Sequence, residues 1–140
     1  FSIKDIPDVF TNFRKKTEQD AVIRDAFDAP KEIKSLEIEP LKLPTLEELN
    51  LEFQPIDSRA VLPFKGGETE AIARLNHYFF ETKCILEYKE TRNGLVGADY
   101  SSKFSPWLAL GCISPRFIYD ELKKYETQFG ANESTYWLVF

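Results

Sequence analysis

The sequence has no methionine, a single histidine and only two cysteines among its 140 residues. Each scarcity removes a class of chemistry. His77 alone cannot build a multi-histidine metal centre, and no Ser/His/Asp set surrounds it, so a place on or between helices is expected for it. Cys84 and Cys112 form no Cys-x-x-C pair and read as reduced thiols that pack like small hydrophobes in a cytosol-like compartment. No apolar run reaches membrane-spanning length and no secretory signal is visible. Positive charge is also short: 18 Lys and Arg stand against 23 Asp and Glu, a net charge of −5. That balance is not the footprint of a surface built to hold nucleic acid.

Glycine is absent from Ala21 to Lys65, whereas five of the eight prolines (Pro30, Pro40, Pro44, Pro55 and Pro63) fall there. Such a stretch cannot be a regular helix or a flexible Gly-rich linker. Its recurring hydrophobics (Leu41, Leu43, Leu46, Leu49, Phe53, Ile56 and Leu62) argue against disorder, so an ordered connector lying along other surfaces is expected. Ser35 to Glu39 reads as a short extended piece. Thr45-Leu46-Glu47-Glu48-Leu49 reads as one capped helical turn. Ahead of it, Asp5-Ile6-Pro7-Asp8 looks like a helix start, with Val9, Phe13 and Thr17 on one face and Arg14, Lys15 and Lys16 solvated.

Past Gly66-Gly67 the pattern changes to helical. A helix is expected from Glu68 to Thr82, with Ile72, Leu75 and Phe79 on its buried stripe and Ala71 and Tyr78 widening it. Cys84 to Tyr88 continues as helix or turn, and Arg92-Asn93-Gly94 marks a turn. Ser114-Pro115 opens the best-defined helix, Pro115 to Phe129, which should bury Ile118, Leu122, Tyr125 and Phe129 and stop at Gly130. Asn132 caps a last helix carrying Tyr136, Trp137 and Phe140. The fold class is therefore all-α. Residues 1–65 form a connector with an N-terminal helix, and residues 66–140 begin a helical domain. Phe1 in place of an initiator methionine, and an apolar end at Tyr136 to Phe140, are expected of a piece of a longer chain.

One stretch concentrates the chemistry. From Tyr88 to Ser114 it holds two Ser-Pro helix starts, Ser105-Pro106 and Ser114-Pro115, with Ser101, Ser102 and Lys103 just upstream of the first. A serine cap with proline in the first helical position leaves hydroxyls, a cation and free N–H groups together, a combination suited to a phosphate.

The runs GGETEA, YKETRNGLVGADYSSKFSPWLALGCISPRFIY and ESTYW closely resemble the photolyase/cryptochrome family, and within it the DASH-type cryptochromes. The resemblance covers most of the chain and is densest from Gly66 to Phe140. It implies the N-terminal part of an FAD-binding helical domain, preceded by the connector from an α/β antenna domain. It places the loop that holds the FAD diphosphate and ribityl chain at Ser101, Ser102, Lys103, Phe104 and Ser105, with the Tyr88 hydroxyl on a flavin phosphate. Ser101 stands where many relatives have threonine, and Lys103 where arginine is common, which keeps the charge without the planar fork. Phe104 and Trp107 are expected to pack behind the loop, and Trp107 matches none of the family's electron-transfer tryptophans. The residues over the flavin ring would follow Phe140, so no catalytic residue and no metal ligand is expected in this chain.

The activity implied for the parent is blue-light repair of cyclobutane pyrimidine dimers, in single-stranded DNA by preference, through an electron from reduced FAD. A folate antenna, 5,10-methenyltetrahydrofolate, is implied beside it. The alternative is a flavin photoreceptor with a signalling role and little repair; a third reading is a helical module that binds no flavin. The expected location is cytoplasmic, or an organelle if the source is a plant. The chain by itself is expected to be inactive and to self-associate through bared apolar helices.

Overall fold

A computed structural model describes residues 2–139, with the side chains of Trp137 and Val139 outside that description. Phe1 and Phe140, on which two of the sequence readings bear, also lie outside the described residues. Among the described residues six α-helices follow in order: α1 (Phe10–Asp20), α2 (Glu68–Asn76), α3 (Tyr88–Thr91), α4 (Ser105–Ala109), α5 (Pro115–Phe129) and α6 (Glu133–Val139). There is no strand among the described residues, in keeping with the all-α expectation.

The core lies wholly past Gly66 and is half aromatic. Ala71, Leu75, Tyr78, Phe79, Ile85, Phe104, Trp107, Ile113, Leu122 and Tyr125 are buried. Phe104, from the loop before α4, stands edge-on to Tyr78 and Phe79 with ring centres 6.5 and 6.0 Å away. Phe79 in turn meets Tyr125 of α5 at 6.3 Å. Burying one such side chain is worth roughly 1.5–3 kcal/mol. The loop is thereby nailed to the joint of α2 and α5 by its own phenylalanine.

The expected single helix from Glu68 to Thr82 is corrected. α2 ends at Asn76 and widens into a π-helical turn over His77–Glu81. Both the Thr82 N–H and its hydroxyl donate to the His77 carbonyl at 2.9 Å, and Lys83 then turns the chain at φ 55°. The cause is the run Tyr78-Phe79-Phe80. A wider turn lets Tyr78 and Phe79 reach the same interior while Phe80 packs against it.

Local chemistry accounts for the last two helices. The Ser114 hydroxyl accepts from the Phe117 N–H at 3.0 Å, and Gly130 ends α5 at φ 92°. Phe129, expected on the buried face, is 41% exposed. At the last helical position it lies against Tyr125, ring centres 4.9 Å apart, with the Lys83 ammonium 4.2 Å from its centre. Asn132 caps α6 as expected: its Oδ1 accepts from the Thr135 N–H at 2.9 Å, while Thr135 Oγ1 accepts from the Asn132 N–H at 3.1 Å. Cys84 and Cys112 are free thiols and only half-buried at the core's edge.

The first 65 residues differ more from expectation. α1 starts at Phe10, after a separate 3-10 turn at Ile3–Asp5, and Val9 precedes it with no side-chain cap. Thr45 and Glu48 form a reciprocal capping box, N–H to Oε2 at 2.8 Å and N–H to Oγ1 at 3.2 Å. The rest of the connector carries no regular structure, and Leu41, Leu43 and Phe53 are 87%, 85% and 77% exposed. It joins the helical part at its ends. Tyr136 donates to Glu18 at 2.7 Å, and the Trp107 indole N–H donates to the Lys65 carbonyl at 2.8 Å.

Candidate functional site

The stretch from Tyr88 to Ser105 folds back on α2. α3 gives Tyr88, and the turn after it is closed by the Gly94 N–H on the Thr91 carbonyl at 2.8 Å. The Tyr100 ring lies so close over Gly94 that a Cβ there would come within 2.3 Å of it, so only glycine fits. The Thr91 hydroxyl reaches the Tyr100 carbonyl at 2.9 Å. Below the loop, the Arg74 guanidinium donates to the Ala98, Ser101 and Ser102 carbonyls and to Asp99.

At the end of the loop Lys103 takes φ 59° and Phe104 an α-helical conformation. This corrects the reading of Ser105 as the cap of α4. Phe104 is the residue before the helix, its carbonyl accepts from the Leu108 N–H at 3.0 Å, and Ser105 is already helical. The left-handed turn at Lys103 brings the chain into helical register one residue early. The second Ser-Pro start keeps its cap, because Ser114 stays extended (φ −96°, ψ 148°).

Tyr88, Ser102, Phe104 and Ser105 line one cavity of about 380 Å³. Leu108, Ile118, Leu122 and Leu138 give it apolar walls, and Arg116 and Tyr119 from the start of α5 add a cation and a further phenol. Ser101 and Lys103 are not among its lining residues; Ser101 turns its carbonyl to Arg74. Trp107 is buried behind the loop with Phe104, as the sequence reading expected.

The perturbed acids Asp99 and Tyr78 lie beside the loop on the α2 side, and neither of them lines the cavity. Partial burial pushes the Asp99 carboxyl up, but hydrogen bonding to Arg74 and the contact with His77 more than offset that and hold it below its usual range. His77 lies between two carboxylates, Nδ1 3.2 Å from Glu81 and Nε2 3.4 Å from Asp99, on the half-exposed side of the helix. Burial pushes the Tyr78 phenol well above the ordinary tyrosine range, and its hydroxyl has no partner among the described residues.

Four participants escaped sequence reasoning, Tyr119 of α5 among them. Arg74 sits on the apolar stripe between Ala71 and Tyr78, and a charge on that face was a usable signal. Arg116 occupies the first turn of α5, where the helix dipole disfavours a cation; that oddity also pointed to a purpose. Ile23 also reaches the cavity, although the connector from Ala21 to Lys65 is expected from the sequence to lie against helices and give no flavin or lesion contact. Among the described residues no cluster of His, Cys, Asp or Glu could hold a metal, and no helix is long and apolar enough to cross a membrane.

No protein-family model matches the chain. Cryptochrome DASH of Danio rerio is 51% identical over 138 residues, covering 96% of this chain and 26% of that protein. The crystal structure of a Synechocystis sp. cryptochrome matches with a TM-score of 0.82 at 52% identity, over 100% of this chain and 29% of that one. The chain belongs to the DASH-type cryptochromes. It spans little more than a quarter of the length of either cryptochrome. A third cryptochrome DASH, from Arabidopsis thaliana, is 45% identical over 100% of this chain and 25% of its own length, and is named chloroplastic/mitochondrial. The helical part of this cryptochrome chain, strand-free among its described residues, matches the helical domain of the Synechocystis structure.

Proposed function

We propose that this chain supplies the phosphate end of an FAD site in a DASH-type cryptochrome. The observation that carries the reading is the convergence of Tyr88, Ser102, Phe104 and Ser105 on one cavity, from α3, the loop and α4. The donor set suits a diphosphate ester: four hydroxyls, of Tyr88, Ser102, Ser105 and Tyr119, and the Arg116 cation stand beside apolar walls. At about 380 Å³ the cavity takes part of a dinucleotide, so the remainder would rest on protein beyond these residues. Ser101 and Lys103 complete the proposed loop. Residues 1–65 are proposed as the connector and 66–140 as the start of the flavin domain.

The role of these residues is to bind and orient. Hydroxyl donors and the Arg116 guanidinium would hold the diphosphate, and the apolar wall would exclude water from it. When bound, reduced FAD excited by blue light supplies the electron that splits a cyclobutane pyrimidine dimer, which we propose as the reaction, with single-stranded DNA preferred. The acidic balance of this chain leaves the DNA-binding surface elsewhere. A folate antenna and a cytoplasmic location, or an organellar one in a plant, belong to the same proposal. The test is a dimer-repair assay on the full reading frame under blue light, with flavin absorbance measured on the same sample. Bound flavin with repair supports the reading. Bound flavin without repair favours a photoreceptor, and absence of flavin refutes the site.

A further inference from the structure

Arg74 is a charged residue in the interior, its side chain 7% exposed. All four of its hydrogen bonds go to the stretch Ala98–Ser102. Nη2 donates to the carbonyls of Ala98 (2.8 Å) and Ser101 (3.2 Å), and Nε to that of Ser102 (3.0 Å). Nη1 donates to Asp99 Oδ1 (2.8 Å). Carbonyl dipoles from three residues aimed at one point repel one another unless a cation sits there. Only a planar, forked cation offers donors in the required directions, and a lysine ammonium does not.

The peptide bonds here are trans, so each N–H points opposite to the carbonyl of its own peptide unit. Drawing the Ser101 and Ser102 carbonyls down onto Arg74 therefore turns the N–H groups of Ser102 and Lys103 away from it. No acceptor among the described residues takes either N–H. Lys103 then adopts φ 59° and Phe104 a helical conformation, the alternation that gathers the N–H groups of Lys103, Phe104 and Ser105 into an anion-binding concavity adjoining the Ser102 N–H.

We propose that Arg74 is the positioning residue of this loop. It touches no ligand. It holds the Ala98, Ser101 and Ser102 carbonyls inward, so that the Ser102 and Lys103 N–H groups and the Ser102 hydroxyl stand pre-set for a phosphate ester. The proposal rests on the phosphate reading of the loop, and its test separates the two.

The experiment uses the full reading frame, freed of flavin, as wild type, Arg74→Lys and Arg74→Met. Cleavage by trypsin after Lys103 and by chymotrypsin after Tyr100 is followed by mass spectrometry, with the Lys123 and Lys124 sites of α5 as internal reference, and FAD affinity is then titrated. Both variants are expected to speed cleavage in the loop by about tenfold or more, to leave α5 protected and to raise the FAD Kd by about tenfold. Arg74→Lys, which keeps the charge and the stem, should fail to rescue either readout. Unchanged cleavage in the loop in both variants overturns the positioning role. Faster cleavage with unchanged FAD affinity overturns the phosphate reading instead. If either arginine variant loses protection across α5, Asp99→Asn decides by the same two readouts, since it weakens one of the four bonds and leaves Arg74 whole.

Discussion

Arg74 Nη1 lies 2.8 Å from Asp99 Oδ1, the arginine side chain 7% exposed and the aspartate 37%. The pair joins α2 to the loop across 25 positions of sequence. Its asymmetry matters: the buried partner would be stranded by loss of the other, whereas the aspartate could turn to water.

Acid should loosen this contact. The folded-state pKa of Asp99 is depressed, so its contribution to stability is present above the unfolded value, near 3.8, and is lost as the pH falls through the folded one. Stability of the wild type is expected to fall as the pH drops below about 4. Asp99→Asn should be less stable at neutral pH and show a shallower acid slope. Denaturant midpoints from pH 2 to 7 measure this, and parallel slopes for the two proteins would contradict it.

Tyr88 lines the cavity at the start of α3. Tyr88→Phe keeps the ring and removes only the hydroxyl. FAD retention by the full reading frame should weaken by roughly 1.5–3 kcal/mol, the worth of a hydrogen bond to a charged group, with little change in melting temperature. Equal affinity by fluorescence titration would remove Tyr88 from the site.

Arg116 stands in the cavity with a single long hydrogen bond to the Asp25 carbonyl, 3.4 Å, and the Phe27 ring 5.7 Å away. Arg116→Gln is expected to raise the FAD Kd and to reduce its dependence on salt, because a screened charge pair is gone. A Kd series from 50 mM to 1 M salt that superposes on the wild type after scaling would show that Arg116 meets no phosphate.

Asn132 and Thr135 exchange two hydrogen bonds at the start of α6, and Thr135 is fully buried. Asn132→Ala should cost about 0.5–2 kcal/mol. The Asn132 side chain also donates to the Leu86 carbonyl at 3.2 Å, so the upper end is expected. Chemical denaturation decides it; a loss below the lower bound would mean that packing alone holds α6.

The 140-residue chain expressed by itself is expected to be colourless and to self-associate. The helical face expected to drive this is covered at Leu122, which is 1% exposed, so the apolar surface open to association is that of Leu41, Leu43, Phe53 and Ile56 along the connector. Sedimentation with an absorbance scan tests both, and a yellow monomer would contradict both.

What the sequence determined by itself is what is settled within a turn or two of chain. The cap of α5 at Ser114, its stop at Gly130, the Asn132 cap of α6 and the Thr45–Glu48 box all link residues three or four apart, where residue type dictates geometry. The wording of the Tyr88–Ser114 stretch likewise disclosed the family. The start of α4 escaped because its register is set by a left-handed Lys103, a conformation unusual for lysine and held by a loop clamped elsewhere. Tertiary structure alone decided the π-turn at His77–Glu81, where three consecutive aromatics compete for one interior. It also decided the bonds from Arg74 to residues 24 to 28 positions away. The meeting of Tyr88, Ser102 and Arg116 in one cavity is of the same kind. Such contacts depend on how helices pack, and periodicity reports which face of a helix is buried but not what that face will meet.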